Sequence, residues 1–120
     1  MEKYQIIEAI ILMPKRFKDG VLSMFSLLKE SGYFKYYKEI TENDISEILT
    51  NHSENVDCWL AWSQDKRTGP GWYFEKKQNG ESYTVAHYPP KTNFDTIISL
   101  NAIEACAAFI KREIEDIRRS

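Results

Sequence analysis

The sequence predicts an α+β fold with N-terminal helices, a three-stranded antiparallel meander and a C-terminal helix packed on the sheet. Apolar residues recur at helical spacing near both ends of the chain, whereas aromatic residues dominate its middle. The dipeptide Asn79-Gly80 separates two aromatic stretches and is a strong hairpin signal, because both central residues of a type I′ turn need a positive φ. A meander of three strands needs a helical layer on one face, and the flanking helices can supply it.

Two helices are predicted in the first third of the chain. Isoleucines at helical spacing favour a helix over residues 4–13, although their β-branched side chains also permit a strand, and Pro14 is expected to end it. The second helix, in "DGVLSMFSLLKESGYF", is expected to be followed by Gly32 in the left-handed conformation. The buried stripe predicted for this second helix is Val21, Leu22, Phe25 and Leu28.

A third helix is predicted to begin at Thr41, whose hydroxyl can accept a hydrogen bond from a first-turn N–H. Glu42 and Asp44 place negative charge at the positive end of the helix dipole. This helix is expected to end at Asn51 or His52. Its predicted buried stripe is Ile45, Ile48 and Leu49.

Three strands are predicted in "DCWLAWS", "GWYFEKK" and "ESYTVAHY". The Gly and Pro residues of "QDKRTGPG" interrupt the hydrogen-bond ladder of a sheet. This segment is therefore expected to form a long hairpin loop between the first two strands. Cross-strand aromatic pairs between the three strands are expected to specify the sheet. Trp72 and Phe74 should face the core, with Tyr73 and Glu75 on the opposite face.

The last helix is predicted over residues 102–118, with Asn101 as its N-cap and Glu104 three residues later. Arg118 and Arg119 lie near its C-terminus, where positive charge suits the helix dipole. Its predicted apolar stripe is Ile103, Cys106, Ala107, Ile110, Ile114 and Ile117.

The composition favours a single globular domain over residues 1–120, because 42% of the residues are hydrophobic and 28% are charged. Cys58 and Cys106 lack the spacing of a zinc site, so no metal or cofactor is predicted, and both are expected to be buried thiols. The apolar run "AIILM" is too short for a signal peptide, and no stretch approaches the roughly 20 apolar residues of a membrane span. The chain is therefore expected to be cytoplasmic, with no membrane contact.

The charge pattern indicates a basic partner. The net charge is −2, but residues 39–65 contain no Lys or Arg. An uninterrupted acidic segment suits a positively charged protein and disfavours phosphate binding. Chance clustering of surface charge is the competing explanation. The acidic residues of the segment are Glu39, Glu42, Asp44, Glu47, Glu54, Asp57 and Asp65.

No catalytic residues are predicted. His52 and His87 are the only histidines, and neither lies in a nucleophile elbow or a Cys-His signature. The "GPG" turn belongs to neither a phosphate-binding loop nor a dinucleotide fingerprint. We therefore expect a binding protein and not an enzyme.

A second binding interpretation comes from residues 66–77, in which an aromatic run lies between basic pairs, an interleaving found in nucleic-acid stacking platforms. Two of the three aromatic residues in "WYF" are expected to face the core, and the acidic segment would repel phosphate. A small nucleic-acid-binding or regulatory module is thus the alternative function, and no nucleic-acid partner is expected under the first one.

Three segments together resemble bacterial immunity proteins of contact-dependent growth inhibition, or polymorphic toxin, systems. They are "LLKESGYF", "ITENDISEILTNHSENVDCWLAWSQDKRTGPGWYF" and "EACAAFIKREIE", and the resemblance covers residues 27–116. The most specific piece is "WSQDKRTGPGWYF". Residues 1–20 have no counterpart in this resemblance, and an added N-terminal segment is one interpretation of them.

The resemblance implies an inhibitor that binds the C-terminal domain of a cognate toxin, often a basic nuclease, and occludes its active or substrate-binding surface. It implies a monomer in a 1:1 complex. Contact residues do not follow from it, so they are chosen by charge and by the enrichment of Trp and Arg at hot spots. For the acidic residues a solvated helix face is the alternative, and for the Lys66-Arg67 pair a role in the turn. The predicted partner-binding residues are Glu39, Glu42, Asp44, Glu47, Asp57, Asp65, Lys66, Arg67 and Trp72.

Overall fold

The computed structural model describes residues 2–66, 70–77, 80, 82–90, 96–99 and 101–120, which form an α+β fold. The helices are α1 (Lys3–Ile11), α2 (Met13–Asp19), α3 (Met24–Ser31), α4 (Tyr33–Tyr36), α5 (Glu42–Leu49), α6 (Asn55–Asp65) and α7 (Ala102–Arg119). Two 3₁₀ segments cover Tyr37–Glu39 and Thr50–His52. The strands are β1 (Gly71–Lys76), β2 (Tyr83–Tyr88) and β3 (Ile97–Ser99).

The sheet is a three-stranded antiparallel meander in the order β1-β2-β3, as the sequence predicts. Phe74 of β1 lies opposite Val85 of β2, and Val85 lies opposite Ile97 of β3. The predicted alternation in β1 is confirmed, since Trp72 and Phe74 are buried while Tyr73 is only partly so. The hairpin between β1 and β2 is also confirmed; Asn79 lies outside the described residues.

The first predicted strand, residues 57–63, is wrong, because this segment forms the middle of helix α6. Its buried residues Val56, Trp59 and Ser63 recur at i, i+3 and i+7, which is helical spacing. The expected cross-strand pairing of Trp59 is therefore wrong too, and its indole Nε1 instead donates to the backbone oxygen of Ile11 at 3.0 Å. The third strand is β3, which follows β2 in the chain.

This correction also changes the connection "QDKRTGPG". It links a helix to a strand instead of joining two strands of a hairpin. Asp65 is the last residue of α6 and Lys66 is its C-cap, so neither lies at a hairpin tip. Pro70 is exposed and precedes β1.

The N-terminal helix is confirmed as α1, and its four isoleucines are fully buried. Pro14 does not end the helical region. It occupies the first turn of α2, where its missing N–H costs no hydrogen bond. The predicted stripe of the next helix is wrong except at Leu28, which is fully buried. Ser23 caps α3 and leaves Val21 and Leu22 outside the helix, and Phe25 is 41% exposed.

The caps of three helices agree with the sequence. Gly32 follows α3 with φ of 94°, as a left-handed cap requires. The Thr41 hydroxyl accepts a hydrogen bond from the Asp44 N–H at 3.1 Å, and the Asp44 carboxylate accepts one from the Thr41 N–H at 2.9 Å. The Asn101 side chain accepts a hydrogen bond from the Glu104 N–H at 3.1 Å.

Helix α7 is the centre of the core, since it contacts the sheet on one side and helices α3, α5 and α6 elsewhere. Its Phe109 stacks on Phe74 of β1 with ring centroids 5.6 Å apart. Phe109 also meets Trp59 of α6 edge to face at 6.0 Å. Cys58 and Cys106 are free thiols; Cys106 is fully buried as predicted, whereas Cys58 is only partly buried. None of the described helices is both long enough and apolar enough to cross a bilayer.

Candidate partner-binding site

The acidic segment 39–65 runs over the surface through the first 3₁₀ segment, α5, the second 3₁₀ segment and α6. Most of its carboxylates are exposed because the apolar stripes of α5 and α6 turn inward. The exposed members are Glu39, Glu42, Glu47, Glu54, Asp57 and Asp65, and Asp44 is partly buried.

Two predicted partner-binding carboxylates form ion pairs within the chain. Glu42 accepts a hydrogen bond from the Arg112 guanidinium at 2.7 Å, and Asp44 lies 2.8 Å from Lys3 Nζ. Partial burial acts to raise the pKa of Asp44, but hydrogen bonds from Lys3 and Thr41 outweigh it and hold the pKa below its ordinary value. Both carboxylates therefore offer a partner less negative charge than the sequence suggests.

The other exposed carboxylates keep more of their charge for a partner. Glu39, Asp57 and Asp65 form no ion pair with any described residue, and Glu47 accepts only a long hydrogen bond of 3.4 Å from Asn43. Asp57 and Asp65 lie at opposite ends of α6, about 12 Å apart along its axis. The acidic residues thus form an extended surface over several elements and not one compact patch.

Lys66 is held against a buried carboxylate of α7. Its Nζ lies 2.8 Å from each carboxylate oxygen of Glu113, which is 4% exposed. The indole Nε1 of Trp62 donates to the same carboxylate at 2.7 Å. This cluster ties the end of α6 to α7, so Lys66 has a structural role whatever else it does.

A cleft of about 420 Å³ opens beside this ion pair, between the end of α6 and β1. Ser63 is buried at its edge, and its Oγ accepts a hydrogen bond from the Phe74 N–H at 2.7 Å. Gly71 has φ of 152°, and a Cβ there would lie 3.4 Å from Lys66 Nζ. The residues lining the cleft are Ser63, Lys66, Gly71, Trp72, Tyr73, Glu75 and Tyr88.

Trp72 and Arg67 are the two remaining residues that were predicted to bind the partner. Trp72 is only 9% exposed, with the Arg112 guanidinium 5.5 Å from its ring centroid and His87 edge to face at 5.2 Å. Trp72 therefore belongs mainly to the core. Arg67 lies outside the described residues.

The residues that sequence reasoning missed are Glu113, Ser63 and Arg112. Glu113 and Arg112 bond to residues 47 and 70 positions away, and Ser63 bonds to one 11 positions away. The burial of Glu113 could have been predicted, because it lies three residues after Ile110 and next to Ile114 on the apolar stripe of α7. A carboxylate on such a stripe indicates a buried partner. The identity of that partner, Lys66, required the correct assignment of α6 as a helix.

A second polar cluster joins α7 to α4. The Tyr33 hydroxyl donates to Glu115, and Lys111 donates to the Tyr33 oxygen at 2.7 Å and to the Ile40 backbone oxygen at 2.7 Å. Burial is the main cause that raises the pKa of Tyr33, and burial also lowers the pKa of Lys111. Burial acts against ionisation of Glu115 as well, but hydrogen bonds from Arg118 and Tyr33 lower its pKa to about 2.

In this second cluster Lys111 donates to three protein oxygens, those of the Tyr33 hydroxyl and of the Tyr37 and Ile40 backbones, and so ties α7 to the α4 region. Among the described residues, no three His, Cys, Asp or Glu side chains are placed to hold a metal ion. Comparison with known protein families, curated proteins and solved structures finds no match. The candidate site therefore depends on the geometry and charge described above.

Proposed function

We propose that this chain is a cytoplasmic immunity protein, not an enzyme. In this proposal it binds the C-terminal domain of a cognate toxin, a basic nuclease, as a monomer in a 1:1 complex, and it occludes the active or substrate-binding surface. The sequence resemblance over residues 27–116 supports the class of protein. The observation that carries the proposal is the exposed acidic surface, which extends from Glu39 to Asp65 without a Lys or Arg of its own.

The physical argument concerns a nuclease that holds a phosphate backbone with basic side chains. Exposed carboxylates can occupy the same side chains, because both ligands present anionic oxygens to Lys and Arg. Of the carboxylates predicted to contact the partner, Glu39, Glu47, Asp57 and Asp65 are the better candidates. The carboxylates of Glu42 and Asp44 are already paired inside the chain.

The test begins with the reading frame beside this chain's own, where the proposal expects a large exoprotein whose C-terminal domain is the toxin. Co-expression should restore growth to cells that produce this domain, and the purified proteins should form a 1:1 complex in which nuclease activity is lost. Variant Glu47→Lys with Asp57→Lys should weaken the complex, whereas the matched control Glu42→Gln should not, because Glu42 already pairs with Arg112. A chain that neither binds nor rescues would exclude this toxin as the partner.

The nucleic-acid alternative depends on residues 66–77. In the structure Lys66 is bonded to Glu113 and Trp72 faces the core, so neither side chain is presented for stacking or phosphate contact. No observation in the described residues favours this alternative. Fluorescence polarisation with a labelled single-stranded RNA distinguishes the two functions, since micromolar affinity at physiological salt would support the alternative.

A further inference from the structure

The two edges of the sheet differ in what covers them. At the β1 edge the Phe74 N–H points away from β2 and donates to Ser63 Oγ at 2.7 Å, so helix α6 closes this edge. At the opposite edge, β3 pairs with β2 and with no other segment that the structure describes. An unpaired edge is a template for a further strand, and folded proteins usually cover it. The open edge of β3 is therefore a candidate interaction site.

The ladder of the sheet determines which backbone groups of β3 point outward. The Lys77 N–H donates to the Ser82 oxygen at 2.9 Å, and hydrogen-bonded pairs alternate with non-bonded pairs along an antiparallel ladder. Thr84, two residues after Ser82, therefore turns its backbone groups toward β1, and its two neighbours in β2 turn theirs toward β3. Ile98 lies opposite Thr84, so this pair exchanges no ladder hydrogen bonds. The N–H and C=O of Ile98 consequently point away from β2.

A polar, negatively charged cleft lies beside this edge. The cleft has a volume of about 270 Å³ and is lined by α5, β3 and the first two turns of α7, but by no described residue of β1 or β2, which places it on the outer side of β3. Glu104 lines it, is exposed, and forms no ion pair with any described residue. The other lining carboxylate, Glu42, is paired with Arg112. Because none of the described lining residues is a lysine or arginine, the cleft favours a positively charged side chain.

We propose that an extended segment of the toxin domain adds as a strand to the outer edge of β3 and places a basic side chain in this cleft. The inference rests on the proposed function, because the toxin is the partner. The outward N–H and C=O of Ile98 supply main-chain hydrogen bonds to the added strand. Side chains of a strand alternate between its two faces. Those on one face meet the Ile98 side chain, which is 68% exposed, and those on the other enter the cleft at Glu104. The segment that fits therefore alternates apolar and basic residues.

The test replaces Ile98 by Pro and measures the affinity for the toxin domain by isothermal titration calorimetry. Proline lacks the outward N–H, which takes no part in the ladder with β2, so the sheet should be retained. Ile98→Pro should weaken the complex about tenfold or more through the lost main-chain hydrogen bond. The matched control Ile98→Val keeps the N–H and a β-branched side chain, and it should bind like the wild type. Glu104→Gln should weaken binding at low salt and match the wild type at high salt.

Hydrogen exchange at the Ile98 amide of the wild-type chain provides a second measurement that needs no variant. Its exchange should slow about tenfold or more when the toxin domain binds, because the added strand accepts this N–H. Two results would overturn the docking mode and leave the proposed function standing: an Ile98→Pro variant that is folded by circular dichroism and binds like the wild type, or an Ile98 amide whose exchange does not change on binding. A wild-type chain that does not bind the toxin domain at all would overturn the proposed function and, with it, this inference.

Discussion

Replacing Glu113 by Gln would remove the charge that holds Lys66 against α7. The Glu113 carboxylate is 4% exposed and lies 2.8 Å from Lys66 Nζ, whose side chain is 21% exposed. A buried pair costs about 3–5 kcal/mol to break, and the partial exposure of Lys66 reduces this to about 2 kcal/mol. Gln can still accept the Trp62 Nε1 hydrogen bond, so the predicted loss comes from the ion pair alone.

A double-mutant cycle isolates this ion pair. Lys66→Met should also cost about 2 kcal/mol, because it leaves a buried carboxylate with a single Trp62 donor. The double variant Lys66→Met, Glu113→Gln should cost only about 1 kcal/mol, which gives a coupling of about 3 kcal/mol. Urea unfolding followed by tryptophan fluorescence measures all three variants. Additive costs, or a Glu113→Gln cost below about 0.5 kcal/mol, would refute the assigned ion pair.

Three further predictions concern single side chains. Ser63→Ala should cost about 1–3 kcal/mol in urea unfolding and speed hydrogen exchange at the Phe74 amide, because this buried N–H loses its acceptor; an unchanged exchange rate would contradict the bond. Thr41→Ala should cost about 1 kcal/mol through loss of the α5 cap, and Thr41→Ser should restore it. Glu115 has a folded pKa of about 2 against an ordinary 4.5, so its stabilisation is complete above pH 4.5 and is lost as the pH falls to 2. Glu115→Gln should remove about 1–2 kcal/mol of that pH dependence after discounting for solvent screening, and a pH profile identical to the wild type would contradict this assignment.

Helix caps could be predicted because they depend on residues three positions apart. Thr41 with Asp44 and Asn101 with Glu104 form the bonds that their spacing indicates. The buried face of α7 was predictable for the same reason, since its apolar stripe is long and regular.

The error in α6 has a different physical origin. The segment "DCWLAWS" is rich in aromatic residues, which favours a strand, yet its Trp59 and Ser63 lie four residues apart and are both buried. Packing against β1, α2 and α7 determines whether such a short segment is a helix or a strand. These contacts are not local in the sequence, so propensity alone does not predict them. The partners of Glu42 and Asp44 were unpredictable for the same reason, because Arg112 and Lys3 are distant in the chain.

These long-range pairs also change which acidic residues a partner can use. From the sequence alone, every carboxylate of residues 39–65 is an equally good candidate for contact with a partner. The structure shows that Glu42 and Asp44 already form ion pairs within the chain. Charge reversal of Glu42 would place a Lys beside Arg112 and disturb the fold as well as the surface. Glu47 and Asp57 are therefore the better positions for testing the interface.

The most direct measurement of the proposed mechanism is the association rate with the toxin domain that the proposal expects in the neighbouring reading frame, followed by stopped-flow fluorescence at increasing ionic strength. Docking on exposed carboxylates predicts a rate that falls steeply with salt, and a Glu47→Lys, Asp57→Lys variant that associates about tenfold more slowly at low salt. An association rate that is independent of salt and equal in the variant and the wild type would contradict the account.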